Sequence, residues 1–431
     1  MSSQKGKHIL LVTLPSDGEV RDQVTHKFYK NKVVKYMPLG VLSVAANLTD
    51  HHVTVLDASS RGLSIQQTID EINAQAPEIL GISAVTYRAW AMTQILTNTH
   101  ATKKVVGGPH VLGNERTILK QGADAVFVGD AESTFPNWIK QGMPDGMFVG
   151  EPVDFDTVPL PRRDLLNLDD YAITPNKDLL FNVGRLRMPM VSSKGCPFRC
   201  TYCDVQQKQF NWKSPERVVE EFQALIEMGA TSIHIIDDCF NVRKDRVIKI
   251  CNLLIQENIT IDWSARGMVE TREPVIAALA EAGCQRLHVG IEHLDDNILT
   301  FFRKQDRYHH IEQFCQLCTK YGIQVLGYFI LGAPGETRQF RDSLPDRLEA
   351  LNITMPYFNV LTPLSNTAYY SYLLETGQLK DDFWSGFIQQ PTKDFAIQSG
   401  RSFDEDLELR ETVEKLAQIF QERSRVRTVS G

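Results

Sequence analysis

Short apolar runs punctuated by glycine and proline alternate with stretches of helical periodicity along most of this 431-residue chain. That alternation constrains the fold more than any other feature, because strands separated by helices pair in parallel and need cover on both faces. In the first third, strands are expected at His8–Leu14, His52–Asp57, Ile79–Ser83, Lys104–Gly107 and Ala125–Gly129. A helix opened by Pro38 places Val41, Val44 and Leu48 on one face. The expectation is an α/β fold whose residues 1–145 form a doubly wound, Rossmann-like parallel sheet, with its ligand beyond the carboxyl ends of the strands. Residues 146–186, rich in Pro and Asp, read as a linker. The alternation resumes at Met188–Ser192, Ser232–Ile236, Ile259–Ser264, Arg286–Ile291, Gln324–Leu331 and Tyr357–Leu361, giving six βα units over residues 187–365. Residues 366–431 read as a helical C-terminal segment, amphipathic over Asp404–Arg423 through Leu409, Val413, Leu416 and Phe420.

The second series opens on Ser-Lys-Gly-Cys-Pro-Phe-Arg-Cys-Thr-Tyr-Cys, Ser193 to Cys203. Cys196, Cys200 and Cys203 form a C-x3-C-x2-C run in a short loop, tight enough to wrap three thiolates around one metal centre. Iron–sulfur clusters are normally held by four cysteines, and the next one here is Cys239. A 4Fe-4S cluster on this loop would keep one iron open to an exogenous ligand. A structural zinc site would want four ligands, and only Cys200 and Cys203 have the usual paired spacing. Cys315 and Cys318 share one face of a helix from His310 to Lys320 and read as a core stripe. With net charge −7 there is no footprint for nucleic acid, and no apolar run approaches a membrane span. The first apolar run reads as a strand and not a signal peptide, so the eight cysteines are expected in a reducing, cytoplasmic compartment.

The cysteine run, with Tyr202 before its third cysteine, resembles the radical S-adenosylmethionine (SAM) superfamily. The six βα units are similar to the partial (β/α)6 TIM barrel of those enzymes, with chemistry at the C-terminal ends of the strands. The resemblance implies that SAM binds the open iron and meets polar residues at the strand ends. Asp237 or Asp238 would face its amino group, and Arg266 beside Ser264 its carboxylate, unless Arg266 is an ordinary ion-pair partner. Glu292, in a Gly-Ile-Glu-His sequence, would meet the ribose, and Gly332, in Gly-Ala-Pro-Gly-Glu, would admit the adenine. His293 reads as a structural histidine sooner than as a proton carrier.

The N-terminal punctuation resembles the cobalamin-binding domain that precedes many radical SAM barrels. It comprises Pro38-Leu39-Gly40, Ser83, Gly107-Gly108-Pro109-His110, and Gly129 with Glu132. The Asp-x-His-x-x-Gly motif of many cobalamin domains is missing; His26 reads as a loop residue and His110 as a turn residue. Tight βα turns also favour glycine and proline whatever they bind. The resemblance as a whole implies an enzyme that cleaves SAM reductively to a 5′-deoxyadenosyl radical, supplied with electrons by a donor such as flavodoxin or ferredoxin. Its expected use is cobalamin-dependent methylation of an unactivated carbon in a small metabolite or natural product. Two alternatives stand beside it: a radical rearrangement, cyclisation or bond formation with cobalamin non-methylating or absent, and a non-catalytic cobalamin or cluster sensor.

Overall fold

The computed structural model describes residues 6–22, 24, 35–173, 184–205 and 209–430; His26 and part of the expected linker lie outside them. The chain divides into two compact units, residues 1–172 with 382–397 and residues 173–381 with 398–431.

The first unit is built on six parallel strands, β1 (His8–Thr13), β2 (His52–Asp57), β3 (Ile79–Ser83), β4 (Lys103–Gly107), β5 (Ala125–Val128) and β6 (Gly146–Val149). Their order is β2-β1-β3-β4-β5-β6. The order reverses between β1 and β3, and an open sheet of this kind binds its ligand at the carboxyl ends beside such a reversal. In-register pairing sets Thr13 beside both Asp57 and Ser83, and Ser83 beside Gly107. Alternate residues feed two cores. Leu10, Val12, Leu80 and Ile82 pack with α2 (Ile65–Gln75) and α3 (Ala89–Asn98). Ile9, Leu11, Ile79 and Phe127 pack with α1 (Leu39–Ala46) and α5 (Thr134–Lys140). Between them, α4 spans Glu115–Lys120. Ser64 starts α2 by accepting from the Gln67 amide, while the Gln67 side chain accepts from the Ser64 amide, so two otherwise orphaned donors are satisfied.

The boundaries differ from those expected. Gly146–Val149, assigned to the linker, is the edge strand of this sheet. Residues 382–397, assigned to the C-terminal segment, return to the first unit through helix α13 (Phe383–Gln389). There Trp384 packs against Tyr87 and Phe395, and Ala396–Ile397 pairs with Arg21–Asp22.

The second unit holds β7 (Arg187–Met190), β8 (Ser232–Ile235), β9 (Asp262–Gly267), β10 (Cys284–Glu292), β11 (Gln324–Leu331) and β12 (Met355–Val360), all parallel and in chain order. Right-handed crossovers in chain order put every connecting helix on one face. These are α6 (Pro215–Glu227), α7 (Lys244–Gln256), α8 (Glu273–Glu281), the pair α9 (Asp296–Phe301) and α10 (Tyr308–Lys320), and α11 (Arg338–Ala350). The strands alternate accordingly. Trp263 packs edge-on against Phe222 of α6 on the helix side, whereas Ser264 and Arg266 belong to the opposite set of β9 residues. Helices α12 (Ala368–Glu375) and α14 (Phe403–Ser430) complete the unit. Leu409, Leu416 and Phe420 of α14 are buried, with Phe420 against Phe358 of β12.

Candidate active site

The cysteine loop leaves β7 and is closed at its base by a short antiparallel ladder, Ser193–Lys194 with Asn211–Trp212. Both stems are held from below. Arg246 of α7 donates from Nε to Lys213 O (2.9 Å) and from a terminal nitrogen to Ser192 O (2.8 Å). Asp237, at the end of β8, accepts from Ser192 N (2.6 Å), Ser192 Oγ (2.6 Å) and Ser193 Oγ (2.5 Å). Burial pushes the Asp237 carboxyl upward, and the hydrogen bonds from Ser192 and Ser193 together with the Arg246 charge oppose that. Asp238 is exposed and accepts from Gly195 N at 2.8 Å. The two aspartates expected at SAM's amino group thus brace the approach to Cys196, with Asp237 committed to three donors and Asp238 still open to solvent.

The middle of the loop is tied down between its cysteines. Thr201 N donates to Phe302 O, Thr201 Oγ1 to Phe301 O, and Thr201 O accepts from Tyr369 N of α12. The Tyr202 ring packs edge-on against Phe302 at 5.1 Å, and its hydroxyl donates to Glu292. Burial, then the Glu292 carboxylate, pushes the Tyr202 phenol well above its usual range, which keeps it a donor. Glu292 itself lies at an irregularity in β10 with φ of +70°, a left-handed conformation uncommon for a non-glycine residue. Burial raises its carboxyl, while Lys304 and the Tyr202 hydrogen bond pull the other way. Lys304 Nζ also donates to Gly290 O at 2.7 Å.

The donor set fits a cluster. Cys196, Cys200 and Cys203 are half-exposed, whereas Cys239, Cys251, Cys284, Cys315 and Cys318 are buried. Burial pushes the Cys239, Cys284 and Cys315 thiols up to about 12 and raises Cys251 and Cys318 as well. Metal ligation needs a thiolate, so the accessible loop thiols suit it and the buried ones do not. Among the described residues no three His, Cys, Asp or Glu side chains are already gathered around one point.

The other expected SAM residues divide. Arg266 is half-buried near the C-terminal end of β9. Ser264 is buried and lies within hydrogen-bond distance of Arg187 (2.9 Å) and His234 (2.8 Å), so its hydroxyl is engaged inside the sheet. Gly332 has φ of +87°, a backbone conformation that by itself favours glycine, and a Cβ there would lie 2.7 Å from the tip of the Leu409 side chain of α14. His293 Nε2 lies 3.3 Å from a carboxylate oxygen of buried Glu336, and its ring stacks on Phe340. Glu336 also accepts from Gly332 N and Arg341, holding the glycine turn in shape. Sequence reasoning missed Arg246, whose signal was a charged residue at an apolar-stripe position of α7 beside Val247, Ile250 and Leu254.

In the first unit, Gly108, Pro109 and Gly129 are exposed in the loops that follow β4 and β5, and Gly40 is exposed in the first turn of α1, with open space around its Cβ position. A Cβ on Gly108 (φ +93°) would meet Ala84 O at 2.7 Å. Ser83 and Gly107 are half-buried, Pro38 starts α1, and Leu39 is buried. Glu132 is buried and accepts from Ser43 Oγ at 2.9 Å, joining α1 to the loop after β5. His110 does sit in the turn after β4, but in its buried part. It is fully buried, its Nδ1 lies 3.2 Å from Thr86 Oγ1, and burial lowers its pKa to about 4. Exposed glycine backbone beside a strand reversal fits a large flat ligand such as cobalamin, which backbone approaches closely only where side chains are absent.

A doubly wound sheet followed by an open, singly wound βα array bearing three half-exposed thiols defines a two-module metallocofactor enzyme. Comparison with known proteins narrows this. Residues 190–344 match the Radical SAM superfamily and residues 32–139 the B12 binding domain. An uncharacterized methyltransferase of Pyrococcus horikoshii is 30% identical over 378 residues, covering 80% of each chain. Two solved structures share the fold. The radical SAM methyltransferase TsrM from Kitasatospora setae, with cobalamin and a [4Fe-4S] cluster bound, has a TM-score of 0.64 at 17% identity, over 86% of this chain and 75% of that one. The cobalamin-dependent radical SAM enzyme OxsB, with aqua-cobalamin bound, has a TM-score of 0.69 at 14% identity, over 97% and 72%. The chain belongs to the cobalamin-dependent class of the radical SAM superfamily. Its cofactors are a 4Fe-4S cluster, SAM and cobalamin. Among the described residues no helix is long and apolar enough to cross a membrane.

Proposed function

We propose that this enzyme methylates an unactivated carbon of a small molecule. The observation that carries the reading is the cysteine loop, braced at both stems yet with its three thiols half-exposed, in a chain whose relative is named a methyltransferase. When bound, the cluster with SAM supplies hydrogen-atom abstraction from carbon, and cobalamin supplies the methyl group. The chain's own residues bind, orient and exclude water. Cys196, Cys200 and Cys203 hold the cluster. Asp238 faces SAM's amino group, Arg266 its carboxylate and Glu292 its ribose. Asp237 and Tyr202 keep that set in place through the hydrogen bonds described above, with Ser264 in the same set of β9 residues as Arg266. The glycine backbone at Gly107–Gly108 and Gly129, with Pro38-Leu39-Gly40, Ser83, Pro109, His110 and Glu132 around or beneath it, receives the cobalamin. None of the eight cysteines is paired in a disulfide, which supports a reducing, cytoplasmic setting with a donor such as flavodoxin or ferredoxin.

The test is anaerobic incubation of reconstituted, reduced protein with SAM, after expression with cobalamin supplied. Stoichiometric cobalt and production of both 5′-deoxyadenosine and S-adenosylhomocysteine are expected. A fully clustered protein that yields 5′-deoxyadenosine without cobalt or S-adenosylhomocysteine would exclude methylation and leave another radical outcome. One that yields neither product would exclude enzymatic SAM chemistry.

A further inference from the structure

An open sheet takes its ligand beside the strand reversal, which in the first unit lies between β1 and β3. The loops after those two strands therefore wall the crevice. Loops ordinarily run over the surface, yet Leu14, Gly18, Glu19 and Val20 after β1 are buried. That loop is tied to the one after β3. Val20 N donates to Tyr87 O (3.0 Å), and Arg88 donates from a terminal nitrogen to Leu14 O (2.6 Å) and from Nε to Glu19. The loop after β3 is tied in turn to the glycine turn after β4. Ala84 N donates to Gly107 O (2.8 Å), and Ala84 O accepts from His110 N (3.1 Å).

A segment distant in sequence, residues 382–397 of the same unit, grips both walls. Arg21 N donates to Phe395 O (2.8 Å), and Ala396–Ile397 runs parallel to Arg21–Asp22. Trp384 sets its ring edge-on against Tyr87 at 6.1 Å. The grip has its own anchorage. Phe395 stacks on Phe387 at 4.3 Å and lies 5.8 Å from Trp384, and Phe387 and Trp384 are both buried. Gln121, just past α4, donates to Ile388 O at 3.0 Å. The Arg21–Asp394 ion pair (2.7 Å) is solvent-exposed and adds little. The hold on the loop thus comes from backbone pairing and aromatic packing, which salt does not screen.

We propose that residues 382–397 form a strap that keeps the β1 and β3 loops in the shape that receives cobalamin, with Trp384 and Phe395 as positioning residues for that cofactor. A site that is competent for only a fraction of the time binds more weakly by that fraction, so loosening the strap should release the cofactor without touching it. The placement of cobalamin in this crevice rests on the reading of the site given above; the strap's grip on the loop does not.

The experiment uses full-length protein purified anaerobically from cells supplied with cobalamin and reconstituted with its cluster. Two quantities are measured: amide exchange of Val20 and Arg21, and the rate at which bound cobalamin leaves after transfer to cobalamin-free buffer, followed by its visible absorbance. Trp384→Ala should accelerate both by about tenfold, the size of one aromatic pair's contribution. Trp384→Phe should restore most of the hold. Arg21→Pro removes the N–H that Phe395 O accepts and should speed both Val20 exchange and cobalamin release with the aromatic packing intact; it decides the matter if Trp384→Ala does not fold. Exchange within β1 at Leu10–Val12 and iron content should stay at wild-type values, whereas a merely loosened fold would change them as well. Unchanged cobalamin release in Trp384→Ala and Arg21→Pro, faster release only together with faster exchange at Leu10–Val12, or a wild type that holds no cobalamin would overturn the proposal. Production of S-adenosylhomocysteine is scored separately. Its absence with the strap effect intact refutes methylation alone, and its presence with unchanged cobalamin release refutes the strap alone.

Discussion

Replacing Arg246 with Met tests whether the cysteine loop is held from beneath. Arg246 is buried and joins the two stems through Ser192 O and Lys213 O. A hydrogen bond from a charged donor contributes about 1.5–3 kcal/mol, so losing both should destabilise the loop base by about 3–6 kcal/mol. The loss also removes the cation that opposes burial of the Asp237 carboxylate, whose remaining support is the pair of serines. Global unfolding is a poor assay, since a chain of two units need not unfold in one step. Local amide exchange is better, because it reports opening of the segment itself. The Lys213 amide donates to Ser192 O at 2.9 Å and bridges the same stems. At about 1.4 kcal/mol per factor of ten, its exchange should accelerate by about a hundredfold to ten-thousandfold. Iron content after reconstitution should fall with it. Unchanged protection at Lys213 together with full iron loading in Arg246→Met would refute the argument that Arg246 anchors the loop.

Cys200→Ala should lose the cluster's iron and its visible absorbance, whereas Cys239→Ala, at a buried thiol raised to about 12, should keep both. His110 has a folded pKa of about 4 against an unfolded value near 6.5, so its neutral form contributes about 3 kcal/mol above pH ~6.5, lost as pH falls toward 4. Denaturation of wild type and His110→Asn across that window should show the flatter profile in the variant; parallel profiles would contradict the buried, neutral ring. Gly108→Ala puts a Cβ 2.7 Å from Ala84 O at φ +93°, which should cost about 1–3 kcal/mol of strain and lower cobalt content, read by thermal unfolding and metal analysis.

The strands were legible because their periodicity is strong: β11 was expected at Gln324–Leu331 and is found there. The edge strand β6 was not, because its apolar run Met147-Phe148-Val149 is only three residues long, lies between two glycines and opens a stretch rich in Pro and Asp. The return of residues 382–397 to the first unit was equally hidden. Phe383, Trp384 and Phe387 make an ordinary apolar helix face, and only the fold shows that its partners are Tyr87 and Phe395. Local pattern reports that a face will be buried and says nothing about which distant segment buries it.

At the site, residue types were legible and their commitments were not. Asp237 and Asp238 look interchangeable in sequence, yet one lies buried beneath three donors and the other stands exposed with one. Gly332 reads as room for a ligand, yet its left-handed φ of +87° already favours glycine and the tip of Leu409 lies over it. In each case a lone pair or a volume that sequence leaves unassigned is already taken by the protein. That distribution has a physical logic. A loop that must present three thiols to a cluster cannot bury them, because burial raises their pKa and opposes ligation. Its rigidity has to come from residues that are not ligands: Arg246 and Asp237 at the stems, Thr201 and Tyr202 between the cysteines. Tyr202 then carries the constraint onward to Glu292, whose left-handed backbone is held by the same hydrogen bond and by Lys304 on the carbonyl of Gly290. The loop and the end of β10 are therefore positioned as one piece, and a change at either should be felt at both.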